Sequence, residues 1–322
     1  MIMKIDAVIT WVDGNDPAHR EKRARYAHPG SLKADDVAGD TRFVNMGEIA
    51  WCVASLNRFA SWINRIYIVT DSQDVCLESF MNRNFPEGCI PMEIVDHKII
   101  FRGYEEYLPT FNASAIETMT WRIPGLSDHY LSLNDDMMLC SPAQPSDFFA
   151  EDGSPICYTD MGSIPFTILT RKLKPKKDGR EKVTFKGVLC NGARLAGNRW
   201  SYMKIHHTPR ALRRDVYEEY FQAHPQDMIR NIQHRFRNRD MYVPEVLHYS
   251  LLKTRGQCLI RPVRGNLFYL EPKNRKGYVC SKLQKLKSDK YRFCCFNSID
   301  KASPEDLELV MRHVEDILDI TL

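Results

Sequence analysis

Two carboxylates stand side by side in LSLNDDMML (131–139), with apolar residues on both flanks. Adjacent like charges repel, and each is costly to carry toward a core without a compensating partner. Asp135 and Asp136 therefore mark either a plain polar turn, which Asn-Asp pairs favour, or a cation site at a strand end. A hard cation such as Mg2+ takes one or two carboxylates and bridges them to substrate phosphates. Three more clusters invite the same two-sided reading. In TWVDGNDP (10–17), Asp13 and Asp16 fall on a turn of the common Asp-Gly kind. In KIHHTPRALRRD (204–215), His207, Pro209 and Arg210 precede an expected helix. A neutral imidazole there is either a general base or a residue that satisfies the helix entrance. In HRFRNRD (234–240), Arg235, Arg237 and Arg239 surround one aromatic residue. Guanidinium forks match phosphate oxygens bidentately, although a surface charge run is the commoner meaning of such a string. Together the clusters supply metal carboxylates, a base and clamping arginines. Phosphoryl transfer needs those parts, because positioning and charge stabilisation carry most of its chemistry.

The elements that must hold these residues alternate between strand and helix signals. IDAVITWV (5–12), RIYIV (65–69), MEIVD (92–96) and 129–133 read as strands. Between them, Ile49, Cys52, Val53, Leu56, Phe59 and Ala60 follow helical spacing within 48–63. Shorter helices are expected over 74–82 and from Ser114 to Arg122, where Pro124-Gly125 stops the second. This alternation predicts an α/β fold, a Rossmann-like mostly parallel sheet flanked by helices. Such sheets bind ligands beyond the carboxyl ends of their strands, and both acidic pairs fall at such ends. Residues 1–150 thus form the α/β half, expected to bind ligand and metal. A basic insertion follows over 151–200, and a mainly helical part over 201–322 completes the site. In that last part, 211–223 and 244–254 read as helices. At the close, Ser303 caps a helix opened by Pro304, Glu305 and Asp306, with Leu307, Val310, Met311, Val314, Ile317 and Leu318 as its apolar stripe.

Composition narrows the class. Hydrophobic residues make up 43% and charged residues 27%, ordinary for a globular domain. A net charge of +4 is too balanced to argue for nucleic acid. No apolar run reaches the length of a membrane span, and the opening MIMKIDAVITWVDGND reads as a strand rather than a signal peptide. The ten cysteines form no C-x-x-C pair, so a cytoplasmic chain with reduced thiols is expected. Two basic stretches, 171–186 and 273–292, suit a solvated loop, an anionic polymer or the inner membrane face.

The clusters also resemble, in order, the four regions of the Stealth family. That family comprises bacterial capsular polysaccharide phosphotransferases and includes the N-acetylglucosamine-1-phosphotransferase of animals. The first region is similar to IDAVITWVDGNDP. The second runs from GEIAWCVASLNRFASWINRIYIVTDSQ through LPTFNASAIE to YLSLNDDMML. The third resembles HHTPRALRRDVYEEYF followed by HRFRNRD, and the fourth FCCFNSID (293–300). The resemblance implies transfer of a sugar-1-phosphate from a UDP-sugar donor to a hydroxyl of a polysaccharide or oligosaccharide acceptor, releasing UMP, with Mg2+ or Mn2+ as cofactor. Residue by residue, it implies that Asp135 and Asp136 are metal and catalytic acids, His207 the catalytic histidine, Arg237 the essential arginine, and Asn297 the asparagine of the fourth region, near the metal. Asp13 and Asp16 would order the donor-binding turn. Arg42, Asn112, Asn134 and Arg210 would join the substrate contacts, and peripheral contact with the inner membrane or the capsule assembly machinery would fit the basic stretches.

The chain departs from the family at Ser298, where an acid usually follows the asparagine, and lacks the usual Pro-Trp after Gln73. Either Asp300 substitutes, the metal is held more weakly, or the fourth region contributes differently. Two rivals stand beside the phosphotransferase reading. One is a metal-dependent glycosyltransferase that releases UDP. The other is an inactive glycan- or nucleotide-binding protein.

Overall fold

In the computed structural model, residues 3–27, 46–172, 184–273, 275–286 and 290–322 are described, without the side chains of 171 and 172. Arg42 and most of the basic stretch 171–186 lie outside these residues. The first part of the chain runs β1 (Ile5–Thr10), α1 (Pro17–Tyr26), α2 (Glu48–Phe59), β2 (Ile66–Thr70), α3 (Glu78–Asn84), β3 (Met92–Asp96), α4 (His97–Ile100) and α5 (Ala113–Glu117). Then come β4 (His129–Asn134), β5 (Met137–Leu139), β6 (Ile156–Tyr158), β7 (Met161–Ser163), α6 (Ile164–Lys172), α7 (Phe185–Leu195) and β8 (Ser201–Met203). The last part holds β9 (Arg210–Arg213), α8 (Arg214–Ala223), α9 (Pro225–Ile232), α10 (Pro244–Thr254), β10 (Leu259–Arg261), β11 (Leu267–Leu270), α11 (Tyr278–Leu283), β12 (Phe293–Phe296) and α12 (Pro304–Leu318).

The main sheet has the order β3-β2-β1-β4-β9, with every pair parallel except β4 and β9. Its strands β1, β2 and β4 are buried on both faces, which is why they read as near-continuous apolar runs, whereas the edge strand β3 buries only Val95. Ile5, Ala7 and Ile9 pack with Cys52, Val53 and Leu56 of α2. Val8, Tyr67, Val69 and Tyr130 pack on the opposite face with Ile116, Leu212, Tyr217 and Leu247. Asp6, buried on β1, is satisfied: it accepts from Asn64 Nδ2 at 2.8 Å and from the Ser127 amide at 2.7 Å. The order reverses direction beside β1 and β4, so a crevice opens at their carboxyl ends.

A second, three-stranded sheet, β11-β12-β5, packs with α2, α11 and α12 around Trp51, Phe268, Phe296, Val310 and Val314. Asp135 and Asp136 form the link between β4 in one sheet and β5 in the other. The apolar flanks of that link are thus strands of two different sheets.

Beyond residue 200 the helices α8 to α12 are interspersed with short strands. Residues 210–213 are an antiparallel strand beside β4 rather than the start of a helix, and α8 begins at Arg214. The stretch 273–292 contains α11, whose Val279 and Leu283 are buried against α12, so it is not simply a wet surface. The expected insertion is a small lobe with its own core of Ile164, Leu189, Cys190, Ala193 and Tyr202 against Val243 and Val246 of the body. Gly192 permits the close approach, since a Cβ there would lie 2.9 Å from the Val243 carbonyl oxygen. All ten cysteines are free thiols.

Candidate active site

Asp136 is where the two sheets and two loops meet. Its Oδ2 lies 2.8 Å from His207 Nδ1, and it accepts from Cys295 Sγ and Asn297 Nδ2, both at 3.3 Å. Those partners come from the β8–β9 loop, from β12 and from the turn after β12. Its other oxygen, Oδ1, is buried with no hydrogen-bond partner. Burial raises the Asp136 pKa, but the His207 hydrogen bond and charge, the Cys295 thiol and the Arg210 charge overcome this and hold it below the usual range. Asp135 goes the other way. Burial, the neighbouring Asp136 charge and Glu48 push it well above the carboxylate range. A carboxyl pushed upward beside a carboxylate whose second oxygen has no partner is a pair that a cation would compensate.

The residues fit a divalent cation on that ground. A carboxylate oxygen of Asp136, a ring nitrogen of His207 and Cys295 Sγ also lie within 4.8 Å of one another. Burial and the Asp136 charge push the Cys295 thiol up, so it stays a neutral donor to Asp136, and the hard oxygens of Asp135 and Asp136 are the better ligands. Ser298 takes a defined part here. It sits at φ 52°, and its Oγ donates to Asn297 Oδ1 at 2.7 Å. That fixes the Asn297 amide with its nitrogen toward Asp136, so in this arrangement Asn297 supports the acid rather than offering its oxygen to a metal.

Asp135, Asp136, His207, Asn297 and Ser298 line a cleft of about 550 Å³ together with Arg237, Glu48, Glu117, Glu245 and Asp300. Arg210 is also on its wall, but its guanidinium is committed to the protein. Nη1 donates to Asn134 Oδ1 at 3.1 Å and Glu245 Oε1 at 3.3 Å, with Glu117 Oε1 at 3.8 Å. Burial and Glu245 push Glu117 up to about 8, opposed by the charges of Arg210 and Arg237. Glu48, Glu117 and Cys295 fall inside the stretches that carry the family resemblance, yet neither they nor Glu245 was singled out by residue type; Glu245 shows only as a carboxylate in an apolar run, PEVL at 244–247.

Arg237 reaches the cleft from the loop between α9 and α10. Asn112 holds that loop, donating from Nδ2 to the His234 carbonyl at 3.0 Å and to Met241 Sδ at 2.9 Å. The Phe111 amide donates to the Arg235 carbonyl at 2.8 Å, and the Phe111 and Phe236 rings stack at 5.3 Å. Phe111 and Asn112 also line a second cavity of about 140 Å³, which shares Asn134 and Asp135 with the cleft. Three polar atoms of residues lining it are buried without partners: Trp11 Nε1, Thr110 Oγ1 and Asn112 Oδ1.

Asp13 and Asp16 line neither cavity. Asp13 Oδ1 accepts from the Asn15 amide at 2.9 Å, and Asp16 caps α1 by accepting from the Ala18 amide at 2.9 Å. Gln73 clamps the turn, donating to the Asp13 carbonyl and Asp16 Oδ2 and accepting from the Asp13 amide at 2.8 Å.

Residues 3–28 match the model of Stealth protein CR1, conserved region 1, and residues 42–157 that of Stealth protein CR2, conserved region 2. A capsular polysaccharide phosphotransferase of Streptococcus pneumoniae is 39% identical over 50% of this chain and 46% of its own. An exopolysaccharide phosphotransferase of Streptomyces coelicolor is 30% identical over 97% of this chain and 54% of its own. The chain thus spans about half the length of these two relatives. An exopolysaccharide phosphotransferase of Lactiplantibacillus plantarum is 30% identical over 78% of this chain and 76% of its own. Among solved structures, galactosyltransferase LgtC with donor and acceptor sugar analogs is similar at 11% identity and a TM-score of 0.40, over 98% of this chain and 96% of that one. On the two region models and the relative matched over three-quarters of both lengths, the chain belongs to the Stealth protein family.

Proposed function

We propose that the chain transfers a sugar-1-phosphate from a UDP-sugar to a hydroxyl of a glycan, releasing UMP. The observation that carries this is the 2.8 Å contact between His207 Nδ1 and Asp136 Oδ2 in a cleft that also holds Arg237. With Nδ1 engaged, Nε2 is the nitrogen left to take a proton, the arrangement of a base oriented by an acid. The acceptor oxygen attacks the sugar-side phosphorus, and its proton goes to His207 Nε2. The phosphorus–oxygen bond to UMP breaks with its electron pair on UMP, and the sugar's anomeric bond stays intact. Arg237 holds charge on the transferred phosphoryl group. Asp135 and Asp136 would hold Mg2+ or Mn2+, which supplies charge neutralisation at the donor diphosphate.

The small cavity suits the donor's base. Uracil presents an acceptor–donor–acceptor edge. Trp11 Nε1, Asn112 Oδ1 and Thr110 Oγ1 offer donor, acceptor and donor in complement, and their lack of protein partners supports that reading. The relatives, capsular and exopolysaccharide phosphotransferases, support the glycan acceptor. The test is to incubate the purified chain with a panel of UDP-sugars, Mg2+ and capsule oligosaccharides, and to assay the nucleotide product. UMP is expected. UDP instead would mean glycosyl transfer, and donor binding without turnover under every condition would mean a binding protein.

A further inference from the structure

The lobe formed by β7, α6, α7 and β8 exposes side chains that its fold does not need to expose. Trp200 is 77% exposed, Phe166 65% and Leu169 55%. Phe166 and Leu169 are three residues apart on α6, hence neighbours on its surface. Trp200 sits at the start of that helix, where its carbonyl accepts from the Ile164 amide. An open groove of about 620 Å³ runs beside them, lined by Ile164, Pro165, Ile168, Leu169, Arg194 and Arg199. Single exposed apolar residues are ordinary, whereas a contiguous set marks an interaction surface.

Charge identifies the partner. From 161 to 203 the sequence carries ten basic residues and only two acidic ones, Asp178 and Glu181. The whole chain is +4, so the rest of the sequence is net acidic and the basic charge is concentrated in this stretch. In the described residues 161–172 and 184–203 there is no acid at all. A second copy of the same basic face would be repelled, while an anionic surface would be attracted. Large aromatic side chains beside basic ones are the composition of elements that lie in a membrane interface. No helix among the described residues is long and apolar enough to cross a membrane, which suits docking rather than spanning.

We propose that this lobe docks the protein on an anionic lipid bilayer, with Phe166, Leu169 and Trp200 entering the interface and Arg194 and Arg199 at the headgroups. Phe185, at the start of α7, is 52% exposed and lines the cleft, so docking brings the cleft's rim to the lipid surface. The inference does not depend on the proposed reaction, and its test reads binding alone.

The full chain is floated with vesicles of pure phosphatidylcholine and with vesicles containing phosphatidylglycerol. The expected result is about tenfold more protein on the anionic vesicles, lost as salt rises. F166S/L169S/W200S and R194E/R199E are each expected to lose about tenfold of that binding, with unchanged thermal midpoints. Equal binding to both vesicle types, no binding to either, or wild-type binding by both variants would overturn the proposal. So would a wild-type dimer that ignores vesicles and that the triple variant dissociates, since the occupant would then be a second copy.

Discussion

Asp13 and Asp16 follow β1, and Asp135 and Asp136 follow β4, the strand hydrogen-bonded beside it. The two acidic pairs end neighbouring parallel strands, yet their surroundings differ. After β1 the chain turns into a helix, whose first amides are free for an acid to cap. Asp16 takes one of them, and Gln73, followed by the Ala18 amide, holds its pKa below the usual range. After β4 the chain passes straight into another strand and there is no helix end to cap. The Asp136 side chain takes its partners from 71, 159 and 161 residues away instead, and one oxygen is left over. Strand-end position alone does not make an acid functional. What separates the pairs is that local amides and Gln73 satisfy the first, whereas Asp136 draws on distant side chains and keeps one oxygen without a partner.

The comparison predicts unequal consequences for equal substitutions. Asp136→Asn keeps the shape but removes the partner that orients His207, and turnover is expected to fall by about 10³–10⁴-fold. Nucleotide release by the purified variant checks it, and near wild-type turnover would remove Asp136 from the mechanism. Arg237→Ala is expected to lose about 10²–10³-fold in kcat, with partial recovery in Arg237→Lys, because a point charge replaces a fork. Chelation separates the pairs more directly. EDTA should abolish turnover, and Mg2+ or Mn2+ should restore it. At a hundred times its Kd the cation should stabilise the wild type by about 2.7 kcal/mol. Asp135→Asn should lose most of that thermal shift and Asp16→Ala should keep it.

Glu117 gives a pH test of the cleft. Burial and Glu245 raise it from 4.5 to about 8. A carboxyl raised this way contributes stability that is complete below the unfolded value and is lost as pH rises through the folded one. The metal-free chain should therefore lose thermal midpoint between these values, by a few degrees. Glu117→Gln should flatten that part of the profile, and an unchanged slope would place the titration elsewhere.

The sequence made the sheet legible and left much of the lining of the site unread. β1, β2 and β4 were visible because both faces of those strands are buried, and α12 because Ser303 accepts from the Asp306 amide beside a Pro and an apolar stripe. The strand β9 was read as helix because Ala211 and Leu212 continue the apolar pattern of α8, and four residues carry too little periodicity to separate the two. Asp135, Asp136, His207, Arg237 and Asn297 were found by type and resemblance, and all line one cleft. Glu117 and Glu245 were not, because their contact with Arg210 spans long separations that no local window contains. Nor could a window show that Ser298 binds the Asn297 oxygen, since the left-handed backbone at Ser298 is a feature of the fold.

The smallest effect belongs to the satisfied pair. Asp16→Ala removes an N-cap and one arm of the Gln73 clamp, so stability should fall by about 1 kcal/mol, read from a urea midpoint. The turn it supports abuts Trp11 and Val12, which line the small cavity beside Asp135. If that cavity takes the donor's base, loosening the turn weakens donor binding in ground and transition states alike. KM for the donor should then rise about threefold at constant kcat. Gln73→Ala should reproduce the KM effect without removing the cap, because Gln73 contacts the turn and not the first amides of α1. A large kcat loss in either variant would mean that the first acidic pair touches the reacting groups, and the contrast between the two strand ends would fail.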